Sequence, residues 1–143
     1  MLRLARVLIV AGADAPTDAP AQTPVGVWQD AAGRVRVEIA PCADRLCGTI
    51  VWFRKPNDAA GRPLSDIRNK DAALRARPVM GMRILDRLRR TGPRTWGEGR
   101  LYNPDDGETY QVNVTLQDDG ALRLRAFVLL PLFGKTRLFS RVE

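Results

Sequence analysis

Histidine is absent from this chain of 143 residues. Its absence removes Ser-His-Asp triads, most catalytic zinc sites and the ordinary proton shuttle near neutral pH. Ser65 and Ser140 therefore have no imidazole to activate them. Cysteine occurs twice, which with no histidine is too few ligands for a zinc site. No apolar run approaches the roughly twenty residues a membrane-spanning helix needs. A phosphate-cradling glycine loop is also missing, because Gly97-Glu98-Gly99 lies within a strand pattern and opens no helix. Acidic residues are the minority sign: 16 Asp and Glu face 23 Lys and Arg, a net charge of +7. Such a surface attracts polyanions and anionic lipid headgroups, though scattered arginines equally make a soluble, self-repelling exterior.

What is present points to an exported β-protein. Hydrophobic residues make up 45% of the chain, enough for one core. Met1 to Arg6 is short and positive, Val7 to Val10 is apolar, and Ala11 and Ala13 offer small residues for cleavage. That order matches a secretory signal over residues 1–13, followed by a flexible Pro/Ala-rich segment at 14–24 and one domain from 25 to 143. A disordered or helical amino-terminal arm is the alternative. Cys42 and Cys47 close a small loop between two strand patterns, and a disulfide there would contribute roughly 2 kcal/mol. The spacing is not that of a C-x-x-C redox pair, so a structural disulfide in an oxidising compartment is expected.

Period-two alternation dominates after Pro24. Val35, Val37 and Ile39 alternate with Arg34, Arg36 and Glu38, and Tyr110, Val112, Val114 and Leu116 alternate with Thr and Asn. Strands are expected near 25–30, 34–40, 47–54, 79–89, 95–103, 108–117, 121–130 and 135–142. Turn chemistry separates them at Thr91-Gly92-Pro93, Pro104-Asp105-Asp106-Gly107 and Asp118-Asp119-Gly120. About eight strands with short joins form an all-β, antiparallel up-and-down barrel, the size at which a barrel holds one small ligand. Only Lys55 to Pro78 breaks the rhythm, as a long polar loop with room for one helical turn near Asp71–Arg75.

Gly26-Val27-Trp28 at the first strand is similar to the G-x-W signature of lipocalins. That resemblance implies a basic residue from the last strand covering the Trp, and Arg141 stands where it should come from. The contact would be a cation–π stack worth about 1 kcal/mol. Further blocks are Leu46-Cys47-Gly48-Thr49-Ile50-Val51-Trp52, Asp66 with Asn69, Arg77-Pro78 with Gly81, Trp96 to Pro104, Gly107 with Tyr110, and Gly134-Lys135-Thr136. In this order they resemble the bacterial family called domain of unknown function 2147. The resemblance implies a calycin-type barrel and export to the periplasm or cell envelope, with no particular activity. Phe139 departs from it, since the family pattern tends to have Trp there.

Candidate ligand contacts are Asp66, Asn69 and Arg77 in the long loop and the strand aromatics Trp52, Trp96, Tyr102 and Tyr110. The plainer reading is that Asp66 and Asn69 cap the short helix, Arg77 pairs with a carboxylate, and the aromatics fill the barrel. No catalytic residue, metal site or cofactor is expected. Asp66 and Glu98 are the one carboxylate pair worth weighing for hydrolysis, and Asp66, Asn69 and Asp71, or Asp105, Asp106 and Glu108, lack the EF-hand pattern for calcium. The preferred function is binding of a small, partly apolar or anionic molecule in the barrel. An envelope interaction protein with a filled barrel is the alternative, using Leu129 to Phe133 as a contact for a partner or membrane face. Export would separate the chain from nucleic acid.

Overall fold

The computed structural model describes residues 23–130 and 134–142. The expected export signal lies outside the described residues, as do Pro131 to Phe133. Eight strands follow one another around a closed barrel: β1 (Gly26–Asp30), β2 (Val35–Cys42), β3 (Arg45–Phe53), β4 (Arg83–Gly92), β5 (Thr95–Asn103), β6 (Glu108–Leu116), β7 (Leu122–Phe127) and β8 (Lys135–Arg141). Every neighbouring pair is antiparallel, and β8 returns to pair with β1, so the sheet has no free edge. The alternation in the sequence sets which side chains go inside. In β6, Val112, Val114 and Leu116 are buried while Gln111 is exposed, and β2 buries Val37 and Ile39 around an exposed Glu38.

Up-and-down topology puts the β2–β3, β4–β5 and β6–β7 turns at one end and the other four connections at the opposite end. The first end is closed by packing: Trp28, Ile39, Leu85, Leu88, Trp96, Val112, Val114, Leu116, Leu122 and Leu124 form one cluster. Trp28 is fully buried and donates from Nε1 to the Pro24 carbonyl at 2.7 Å. Arg141 lies 4.4 Å over its ring and donates to the carbonyls of Val25 and Thr23 at 2.7 and 2.9 Å. The stack thus joins the first strand, the last strand and the segment before the barrel. Cys42 and Cys47 are bonded across the β2–β3 hairpin, their Cα atoms 5.9 Å apart.

Two strands differ from the sequence reading. The fourth begins at Arg83, not near residue 79, because Val79 and Met82 are buried from the long loop instead of from a strand. It also runs on to Gly92, with Arg87 at φ 65 where the backbone bulges. In β5, Gly97 and Glu98 together face the position between Val114 and Val112, with Glu98 at φ 61. This bulge turns Glu98 outward and brings Gly99 inward, where a Cβ would sit 2.7 Å from Leu88 and 2.8 Å from Val112. The seventh strand stops at Phe127, and Val128 to Leu130 leave the sheet.

Candidate functional site

The open end carries a cavity of about 680 Å³, within the range of small-molecule sites. Its floor is apolar: Val35 from β2, Ile50 and Phe53 from β3, Ile84 from β4, and Leu64 and Val79 from the long loop. Its rim is cationic, with Arg34, Arg54, Lys55 and Arg68 against a single carboxylate, Asp105. Arg34 is ion-paired with Asp30 at 3.5 Å. Lys55 and Arg68 have no ion-pair partner among the described residues, and Arg54 reaches only the Ala32 carbonyl at 3.3 Å. Beneath the floor a void of only about 30 Å³ remains, and Ile84 borders both spaces. The open interior space is therefore the mouth, and the closed half of the barrel is filled.

The long loop forms one wall of this mouth. It folds back on itself through bridges Asn57–Pro63 and Ser65–Pro78, and Val79 N–H donates to the Leu64 carbonyl at 3.0 Å. Leu64 and Val79 then pack with Val37, Ile50 and Met82 in a second apolar cluster. What fastens the loop is a buried carboxylate. Asp66 has no exposed surface and accepts hydrogen bonds from Tyr102 Oη at 2.6 Å, Asn69 Nδ2 at 2.8 Å and Arg77 Nε at 3.1 Å. Burial is the largest single influence on its pKa and pushes it up. The bonds from Tyr102, Asn69 and Arg77 together outweigh it and hold the carboxyl below its ordinary value. Burial, then the bond to Asp66, pushes the Tyr102 hydroxyl up to about 12.

The sequence candidates fall into two groups. Asp66, Asn69, Arg77 and Tyr102 meet in this one knot, with Arg77 also 5.9 Å from the Tyr102 ring, yet none of the four lines the cavity. Asn69 Nδ2, Arg77 Nε and Tyr102 Oη all donate to Asp66, while Asn69 Oδ1 accepts from Asp71 N–H. It is their neighbours Ser65, Ile67 and Arg68 that face the space. Trp52 is stacked under Arg36 at 4.5 Å, Trp96 is buried with Arg90 4.9 Å over its ring, and Tyr110 bonds to Asp106. The 3-10 turn at Ala72–Leu74 is capped by Asp71, whose carboxylate accepts from Ala73 N–H, and not by Asp66 or Asn69. Glu98 sits on the surface, paired with Arg89 and Arg45, away from Asp66 and from the mouth. No cluster of metal-ligating side chains occurs among the described residues.

Gly107 locks the wall to the β5–β6 turn. Its φ is +74, and a Cβ there would lie 2.0 Å from the Arg68 carbonyl oxygen. Gly107→Ala is expected to cost roughly 2–4 kcal/mol, since it combines an unfavourable backbone conformation with a backbone clash. Thermal unfolding measures the loss, and a melting point equal to that of the native chain would show that the turn is not so constrained.

A closed eight-stranded meander, sealed at one end by a Trp–Arg stack and hollow at the other, defines a lipocalin-like barrel. The chain belongs to the bacterial family described as "Uncharacterized protein conserved in bacteria (DUF2147)", whose model matches residues 26–141. Its structure is similar to that of protein HP1028 from Helicobacter pylori, described as belonging to the lipocalin family, with a TM-score of 0.72 and 24% identity over 83% of this chain and 82% of that one. No curated protein matches the sequence.

Proposed function

We propose that this protein binds a small amphiphile at the barrel mouth, its apolar body on the floor and an anionic head at the rim. One observation carries the reading: an apolar floor stands under four cations and one carboxylate, with Lys55 and Arg68 free of ion pairs among the described residues. A ligand carboxylate or phosphate would give those two charges a partner in a partly desolvated setting, where such pairs are strongest. The lipocalin-like fold is compatible with a binding role. The two carboxylates weighed for hydrolysis support binding over reaction, because Asp66 is fully engaged and Glu98 stands outside the mouth. Export to the periplasm or cell envelope is part of the proposal, supported by the Cys42–Cys47 bond and the signal-like amino terminus.

Displacement of a fluorescent fatty-acid probe by decanoate and by decanol tests the reading. Decanoate is expected to compete better than decanol, and Lys55→Glu/Arg68→Glu to weaken decanoate by about tenfold while leaving decanol unchanged. Equal competition by acid and alcohol, or an unchanged double variant, would remove the anionic head from the proposal. No competition by either would remove the amphiphile.

A further inference from the structure

The open end also shows solvent the most exposed large apolar side chains among the described residues, above Leu138 in β8 and Val142 after it. In the β7–β8 connection Val128 is 59% exposed, Leu129 79% and Leu130 56%. On the loop wall Ile67 is 67% exposed, and Met80, ahead of β4, is exposed as well. None of the three turns at the closed end exposes a large hydrophobic side chain. Leaving Val128, Leu129 and Leu130 in water at one end of the domain is unfavourable, and such patches mark contact surfaces. The same end also carries cations without ion pairs among the described residues, as the barrel does elsewhere at Arg87, Arg100 and Arg123. Lys55 and Arg68 stand on the rim, and Lys135 begins β8 directly after the apolar connection. None of the three has an ion-pair partner among the described residues.

Apolar side chains flanked by free cations, on a chain whose net charge of +7 falls only to +5 on loss of Arg3 and Arg6, match one chemistry: an anionic lipid surface. We infer that the open end docks on an anionic bilayer, with Leu129 and Leu130 entering the headgroup–acyl boundary and Lys55, Arg68 and Lys135 facing lipid phosphates. A protein partner with an apolar site would satisfy the leucines but leave the cations unexplained. Docking in this orientation sets the cavity entrance against the membrane, where an amphiphile would enter or leave without crossing open water. The inference does not depend on ligand binding, because the leucines and Lys135 lie outside the cavity lining.

Co-sedimentation of residues 14–143, the chain without its signal-like segment, with vesicles is the test. Vesicles of phosphatidylcholine with phosphatidylglycerol should pull the protein down, and pure phosphatidylcholine should do so about tenfold less. Leu129→Asp/Leu130→Asp should lower binding to the anionic vesicles by about tenfold. Lys135→Glu should lower it severalfold. Both variants should retain the native melting temperature and the native response to decanoate. Equal binding to both vesicle types overturns the inference, as does an unchanged leucine variant, which would put the contact elsewhere on the chain. Capture of the face by a protein with no vesicle binding overturns it too. Failure of decanoate binding with vesicle binding intact would count against the amphiphile reading alone.

Discussion

Trp28→Ala is expected to cost about 5 kcal/mol and to leave the barrel unfolded or close to it at room temperature. Truncating a fully buried Trp costs about 3–5 kcal/mol, through lost transfer energy and the hole that remains. Here the hole opens against Ile39, Leu85, Leu122 and Phe139, residues from four different strands. The substitution also strands the carbonyl of buried Pro24, which accepts the indole N–H, at a further cost of about 1 kcal/mol. Total stabilities of single domains are about 5–15 kcal/mol, so the loss is comparable to the whole. Arg141→Lys should be far milder, about 1 kcal/mol, because lysine keeps the charge over the ring but cannot bond both Val25 and Thr23 carbonyls. Urea unfolding followed by far-ultraviolet circular dichroism separates the two. A Trp28→Ala midpoint within the range of Arg141→Lys would show that the ring is packing filler and not the keystone of closure.

The periodic signals in the sequence translate directly into structure because they report burial against one continuous interior. Val35, Val37 and Ile39, or Val112, Val114 and Leu116, could face inward together only on extended backbone, and they do. The Asp118-Asp119-Gly120 turn likewise follows from local chemistry, with Gly120 N–H bonded to the Gln117 carbonyl. Two kinds of feature escape such reading. Val79 and Met82 look like the start of a strand because they are apolar and buried, but their burial comes from a loop folded over the mouth. Arg87 and Glu98 lie in bulges, where one extra residue shifts the alternation and no residue type announces it.

The site shows the same division. Polar density pointed to the loop that walls the cavity, because Asp66 to Asp71 is the densest polar cluster in the chain. Asn69, Arg77 and Tyr102 of β5 all donate to Asp66, and Tyr102 lies 36 residues from it in sequence. Pairing at that distance has no local signature. The residues that do line the mouth, among them Phe53, Leu64, Lys55 and Arg68, are ordinary in the sequence. Lys55, at the start of the loop, must stand near the rim where β3 ends, but Arg68, in the middle of the loop, has no such signal.

Asp66→Ala should detach that loop without unfolding the barrel. The knot is the only charged group fully buried among the described residues, and removing it leaves the Tyr102 hydroxyl and the Asn69 amide without their acceptor. Arg77 is partly exposed and can turn to water, so no charge is stranded and the cost is about 3 kcal/mol. Because the strands do not depend on Asp66, the expense falls on Ser65 to Val79. The Val79 and Asn69 amides should exchange with deuterium about a hundredfold faster while those of β2 and β6 keep their protection. The pH dependence follows from the same bonds. Asp66 has a folded pKa below its unfolded value of about 3.9, so its contribution is full above that pH and is lost as the pH falls through the folded value. Tyr102, raised to about 12, contributes fully below about 10 and loses its contribution as the pH climbs toward 12. The loop should therefore hold between about pH 4 and pH 10 and loosen on either side before the barrel does. Since Leu64, Ser65, Ile67, Arg68 and Val79 form one wall of the mouth, decanoate binding should fall with the loop in Asp66→Ala at neutral pH, and decanol, which does not titrate, should report the same loss in the native chain in acid. Unchanged Val79 exchange in Asp66→Ala would mean that the apolar contacts of Leu64 and Val79 hold the wall alone.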